Sequence, residues 1–144
     1  MRPEIDALNA TIYPRLNNGV YRAGFATTQE AYDEAFADVF AELDAVEARL
    51  AAGGPFLTGE TFTEADIRLF VTLVRFDPAY NGAFKCNRRR LADYPALSAY
   101  LKRVLAIPGI RETVSIDHIK RGYYSIRAIN PQGIVPLGPD LDWA

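Results

Sequence analysis

The segment that most restricts the fold is Thr63-Glu64-Ala65-Asp66 followed by the apolar run from Ile67 to Phe76. In a Thr-x-x-Asp box the threonine accepts from the amide three residues on, while the acidic side chain reaches back to the threonine amide. Asp66 fills a role more often held by Glu. Such a box starts a helix, with Phe62 and Ile67 in the hydrophobic staple positions on either side. Ile67, Leu69, Phe70, Val71, Leu73, Val74 and Phe76 then cover nearly the whole helix circumference. A helix of that kind is expected in the middle of a domain. Its β-branched residues also suit a strand, but the box and the length favour helix. Pro78 should kink or end it near Asp77.

The neighbouring segments are helical as well. Glu4 to Tyr13 carries Ile5, Leu8 and Ile12 at helical spacing, and Pro14 ends or kinks it. Asn17-Asn18-Gly19 reads as a turn and Val20 to Ala26 as an irregular connection. Thr27 or Thr28 caps the strongest helix, whose stripe is Tyr32, Phe36, Val39, Phe40, Leu43, Val46 and Leu50. Asp33, Glu34, Asp38, Glu42 and Arg49 fall mostly outside the stripe, and Gly53-Gly54-Pro55 stops the helix. Phe56 to Phe62 reads as a loop. Tyr94-Pro95 opens a helix with Leu97, Tyr100, Leu101, Val104 and Leu105 on one face, closed by Pro108-Gly109. Ile110 to Thr113 is a short turn, and Ile116 to Tyr124 a last short helix. From Ser125 on, repeated Pro and Gly make an irregular tail, 125–144, expected to pack through Ile129, Ile134, Val135, Leu137, Leu141 and Trp143. No strand pair or repeat is evident. The expectation is an all-α bundle of about five to seven helices in a single domain, 1–144.

Bulk properties exclude several functions. The 144 residues suit one domain and need no disulfide or metal to hold it together. A formal net charge of −2 gives no strong pull toward nucleic acid or anionic membrane, and Arg88-Arg89-Arg90 is too short a basic run to change that. No apolar run reaches the ~18 residues of a membrane span. The N-terminus does not read as a signal peptide, so the default compartment is the cytoplasm. Cys86 is the one cysteine and His118 the one histidine, with no spacing that suggests a metal site.

Few side chains offer chemistry. Lys85 and Arg88 beside Cys86 would favour a thiolate, but a lone thiol without a local base more often is inert and buried. His118 can act as a base, though a surface or capping role fits better. Arg68 and Arg75 share a face of the apolar helix with Thr72 between them. They can grip an anion, or pair with carboxylates such as Asp66 and Asp77 and organise the core. Eight tyrosines, several at element ends (Tyr21, Tyr80, Tyr94, Tyr123, Tyr124), each offer a stacking face and a hydroxyl donor.

The Phe62-stapled box after Phe56-Leu57-Thr58-Gly59 resembles the hallmark of the glutathione transferase helical domain. Three further segments narrow the likeness. They are Asn17 to Ala26; Asp66 to Phe70 running on to Val74-Arg75-Phe76-Asp77-Pro78-Ala79-Tyr80 and Phe84-Lys85-Cys86-Asn87; and Pro108-Gly109-Ile110 with Asp117-His118-Ile119-Lys120 and Ile129-Asn130-Pro131-Gln132-Gly133. Together they resemble the glutathionyl-hydroquinone reductases, the Xi-class glutathione transferases, over nearly the whole chain. The sequence departs from the family's usual residues at Gly122 and Ala128.

The resemblance implies a transferase C-terminal-like helical bundle with a long irregular tail. It also implies a partner that has no counterpart here: an N-terminal thioredoxin-like domain that binds the co-substrate glutathione and carries the nucleophilic cysteine. In the family that thiolate attacks the glutathione sulfur of a glutathionyl-hydroquinone, the hydroquinone leaves, and a second glutathione departs as the disulfide. Cys86 does not match that nucleophile. Tyr21, Tyr80 and Tyr123 match tyrosines that contact the oxygens of the aromatic hydroquinone substrate. Phe62, Thr63 and Asp66 are structural. The chain alone is expected to be inactive and to form homodimers, with a face left open around Tyr21 and the Phe76–Tyr80 segment. Two alternatives are a stand-alone helical binding or scaffold module derived from a glutathione transferase, and a small thiol enzyme built on Cys86.

Overall fold

A computed structural model describes residues 1–144. Seven α-helices make up the fold: α1 (Arg2–Ile12), α2 (Gly19–Gly24), α3 (Gln29–Ala52), α4 (Glu64–Arg75), α5 (Asn81–Ala83), α6 (Pro95–Leu105) and α7 (Ile116–Tyr124). Short 3₁₀ turns at Leu91–Asp93 and Arg111–Thr113 flank α6. No strand forms; the only β-type pairing is an isolated bridge between Phe56 and Gly59 inside the tight turn after α3.

The helix α3 is the spine. Thr28 caps it by accepting from the Ala31 amide at 3.2 Å. Its buried stripe of Val39, Phe40, Leu43, Val46 and Leu50 packs along α2 on one side and α6 on the other, while α1 lies along α4. Each fully buried Leu, Val or Phe contributes about 1.5–3 kcal/mol relative to exposure. Glu42 departs from the expected pattern: it lies in the buried stripe, where it accepts from the Thr11 hydroxyl at 2.8 Å. Glu47 reaches from α3 to the start of α6 and accepts from the Ala96 and Leu97 amides at 2.9 and 2.7 Å. Those amides have no partner inside their own helix, so a carboxylate there satisfies two donors at the positive end of the dipole.

The N-terminus of α4 is organised by one buried carboxylate. Asp66 Oδ2 accepts from the Thr63 amide at 2.8 Å and the Thr63 hydroxyl at 3.1 Å. Its Oδ1 accepts from the Leu57 amide at 2.9 Å and the Tyr100 hydroxyl at 3.0 Å. One side chain therefore ties the loop before α4, its cap and α6 together. The Phe62 ring packs against Phe56 at 5.4 Å, whereas Ile67 is 51% exposed, so the expected staple partner faces outward. Val71 lies on that same open stripe. The expectation that α4 is buried all round is thus corrected. Glu64, Arg68 and Arg75 share the outer side with these two apolar residues.

Two prolines are absorbed rather than allowed to stop a helix. Tyr13–Asn17 and Phe76–Tyr80 each form a wide π turn, closed by the Asn18 amide on Tyr13 oxygen and the Asn81 amide on Phe76 oxygen. Widening the turn accommodates Pro14 and Pro78, which lack an amide donor. Only Asn18 remains a turn residue, with helical backbone angles, between the π turn and the next helix, and Gly19–Gly24, expected to be irregular, is α2.

The tail from Ser125 carries no helix. Trp143 is buried, its carbonyl accepts from Arg111 at 2.7 Å, and Leu141 and Ile129 pack on the core. Ile134, Val135 and Leu137, expected as anchors, are exposed. That stretch is held through its backbone instead, where Lys120 donates to the Pro136 and Leu137 carbonyls at 3.0 and 2.7 Å. No helix is long and apolar enough to cross a membrane.

Candidate functional site

Both π turns lead into one aromatic cluster. The first sets the start of α2 and so the position of Tyr21; the second ends at Tyr80. The third tyrosine, Tyr123, comes from the last turn of α7, which packs on the second π turn. The Tyr123 hydroxyl lies 2.7 Å from the Tyr21 hydroxyl and 2.7 Å from the Tyr80 hydroxyl. Three residues from distant parts of the chain thus form a continuous hydroxyl relay.

Phe84 is the floor of the cluster and was not singled out from sequence. Its ring meets Tyr21, Tyr80 and Tyr123 with centroids 5.1, 5.2 and 5.6 Å apart, and Phe25 at 5.5 Å. Such edge and offset contacts match the quadrupoles of the rings. Gly24 makes room for it, because a Cβ there would overlap the Phe84 ring. Its sequence signal is the segment Phe84-Lys85-Cys86-Asn87, whose aromatic residue rather than its thiol reaches the cluster.

Counting protons shows what the relay can do. Three hydroxyls carry three protons, and two hydrogen bonds use two of them. Tyr80 is 3% exposed and its hydroxyl pairs with that of Tyr123, where either oxygen can be the donor; donation from Tyr80 is the arrangement that leaves no buried proton unpaired. Tyr21 is 42% exposed. With Tyr123 donating on to Tyr21, the one spare proton sits at the open end, on Tyr21, polarised by the bonds behind it. Burial, then the hydrogen bonds to neighbouring tyrosines, push Tyr80 well above the ordinary phenol range. Burial also raises Tyr123, although Tyr80 donating to it and the Arg75 charge act in the opposite sense. Tyr80 and Tyr123 therefore stay protonated at neutral pH and serve as hydrogen-bond donors.

Beside it lies a cleft of about 480 Å³, lined by Tyr13, Asn17, Asn18, Tyr21, Arg68, Val71, Thr72, Arg75 and Tyr80. Asn17 stitches its walls, donating to the Arg68 carbonyl at 2.9 Å and the Thr72 hydroxyl at 2.6 Å. The arginines do not pair with Asp66 or Asp77, contrary to one expectation. Arg68 binds Glu64 at the surface at 2.7 Å, and Arg75 donates to the Val71 carbonyl at 2.6 Å. Asp77 instead accepts from the Leu91 and Ala92 amides at 2.7 and 3.3 Å. The open face holds Tyr13, Tyr21, Phe25, Ile67 and Val71, whereas Phe76–Tyr80, expected there, is buried.

The remaining candidates stand apart. Cys86 is fully buried, and desolvation pushes its thiol up to about 12. His118 is exposed, and its backbone amide donates to the Ser115 hydroxyl that caps α7. Arg88 lies over the Phe36 and Phe40 rings and Arg89 over Tyr94, so these cations cover aromatic surface. No three His, Cys, Asp or Glu side chains cluster as metal ligands would.

Comparison with known proteins bears on this geometry. Residues 29–103 match the family described as glutathione S-transferase, C-terminal domain. The chain is 55% identical over 139 residues to the glutathionyl-hydroquinone reductase PcpF of Sphingobium chlorophenolicum, covering 96% of this chain and 44% of the relative. It is 52% identical to the glutathionyl-hydroquinone reductase YqjG of Escherichia coli. The glutathione-bound structure of that protein superposes with a TM-score of 0.95, over 98% of this chain and 46% of the other. The Xi glutathione transferase of Phanerochaete chrysosporium, 46% identical, superposes at 0.92 over 96% and 45%. The chain thus spans a little under half the length of these relatives.

Proposed function

Because the chain belongs to the glutathione S-transferase family, as its C-terminal helical domain, we propose that it forms the substrate wall of a glutathione-dependent reductase acting on glutathionyl-hydroquinones. The observation that carries this reading is the convergence of Tyr21, Tyr80 and Tyr123 on one hydroxyl apex above Phe84. The exposed rings of Phe25 and Tyr21 offer faces against which an aromatic substrate packs, with the buried Phe84 ring supporting both from behind. The Tyr21 hydroxyl then donates to a ring oxygen. In the keto tautomer of the ring the sulfur-bearing carbon already holds its proton; when the partner domain's thiolate bonds the glutathione sulfur, the carbon–sulfur pair moves through the ring to that oxygen as the aromatic phenolate, and a donor already in place stabilises it without reorganisation.

Glutathione supplies the sulfur that is attacked in such a reaction. These residues do not supply the attacking thiolate, because Cys86 is sealed in the core with its thiol held protonated. In this reading the nucleophile and the glutathione groove belong to a thioredoxin-like partner domain, within a protein of the relatives' length. This chain orients the ring and steadies the leaving hydroquinone.

The test uses a protein that joins these residues to such a domain. Replacing Tyr21 or Tyr123 with Phe should lower kcat with a glutathionyl-hydroquinone by about 10²-fold, the scale for loss of one preorganised donor. Unchanged rates in both variants would remove the tyrosines from the mechanism. The 144 residues alone should show no turnover.

A further inference from the structure

The cleft beside the relay holds a cation that nothing in the chain neutralises. Arg68 is occupied, its guanidinium joined to Glu64 at 2.7 Å through one nitrogen and 2.8 Å through another. Arg75 forms no ion pair; one of its nitrogens donates to the Val71 carbonyl and the rest of the fork is uncommitted. No carboxylate lines the cleft, which Arg75 shares with Tyr13, Asn18, Tyr21 and Tyr80. Arg75 is only half-exposed, so its charge acts through partly excluded solvent. The cleft, at about 480 Å³, has room for a substituted aromatic ring.

We propose that this cleft is a carboxylate subsite, in which Arg75 reads an acidic group carried on the aromatic ring of the substrate while Tyr21 holds a ring oxygen. The proposal rests on the hydroquinone reading and narrows it to rings bearing a carboxylate. A guanidinium fork matches a carboxylate in two parallel hydrogen bonds, which fixes the ring's orientation as well as its affinity. The Asn18 amide and the Tyr13 hydroxyl, at the same cleft, are suited to the outer lone pairs. The residue then selects among hydroquinones, and the tyrosines act on whichever ring is bound.

The experiment titrates this chain with 2,5-dihydroxybenzoate and with unsubstituted hydroquinone, following the tyrosine side-chain signals by NMR at low salt. The expected result is an affinity for the carboxylated ring about tenfold above the neutral ring, the scale of one charged hydrogen-bonded contact. In Arg75→Gln that ratio should fall toward one, and Arg75→Lys should recover part of it. Circular dichroism of both variants confirms the helical fold. Equal affinities for the two rings in the unmodified chain would overturn the carboxylate subsite and leave the hydroquinone reading standing. A ratio retained in Arg75→Gln would also overturn it. Displacement of the carboxylated ring by free glutathione at equal affinity would assign the cleft to the peptide carboxylates instead and overturn the proposal. Failure of both rings to move the Tyr21, Tyr80 and Tyr123 signals would sink both readings together.

Discussion

Replacing Asp66 with Ala removes the acceptor for four donors at once. These are the Leu57 and Thr63 amides at 2.9 and 2.8 Å and the Thr63 and Tyr100 hydroxyls at 3.1 and 3.0 Å. The hydroxyls can rotate toward other acceptors, but the amides cannot. Each orphaned buried donor costs about 1–3 kcal/mol, so two amides alone cost about 2–6 kcal/mol. The loss of the cap bond at Thr63 is already contained in that figure. Asp66→Asn keeps one oxygen and points an amide at the donors on the other side, so it should lose about half as much. A domain of this size is stable by about 5–15 kcal/mol, which makes the effect easy to resolve. Urea unfolding at constant temperature, with m-values compared, is the suitable assay. Asp66→Ala should shift the midpoint strongly and leave m unchanged. A loss below about 1 kcal/mol would refute the reasoning, because it would mean that water or a neighbour satisfies both amides.

The thiol of Cys86 should react with a disulfide reagent at pH 8 about 10³-fold more slowly in the folded chain than in urea, following the thiolate fractions implied by a value near 12 against 9.0. Because the folded thiol is raised, its contribution to stability is complete below the unfolded value of 9.0 and fades as pH climbs toward about 12. Unfolding curves of the parent and Cys86→Ala should therefore converge or cross in that alkaline window, and parallel curves would refute the assignment. Tyr123→Phe should destabilise the fold by about 1–3 kcal/mol in thermal unfolding, since it strands the buried Tyr80 hydroxyl, whereas Tyr21→Phe at the exposed end should cost little. Gly24→Ala should cost about 1–3 kcal/mol and broaden the Phe84 and Tyr21 signals, because the added methyl displaces the Phe84 ring.

Local signals in the sequence carried most of the helices. Thr28, Thr63 with Asp66, and Pro95 mark helix starts by short-range chemistry, and each begins a helix in the structure. What was hidden depends on partners far along the chain. The Asn17 amide finds its acceptors at Arg68 and Thr72, more than fifty residues away, so Asn17 and Gly19 join helical turns with only Asn18 as a turn between them. Pro14 and Pro78 read as breaks because a π turn is visible only in the backbone bonds that close it. The three tyrosines were nameable through family likeness, but their meeting was not, since it requires α2, the second π turn and α7 to share a corner. Of the two readings of Arg75, the pairing with Asp77 or Asp66 fails for the same reason: both carboxylates are spent on amides.

The relay at that corner runs from dry to wet. Tyr80 is 3% exposed and Tyr21 42%, with the Tyr123 hydroxyl between them. The donor at the wet end is thus steered by partners that solvent reaches least, which holds its direction before any ring arrives.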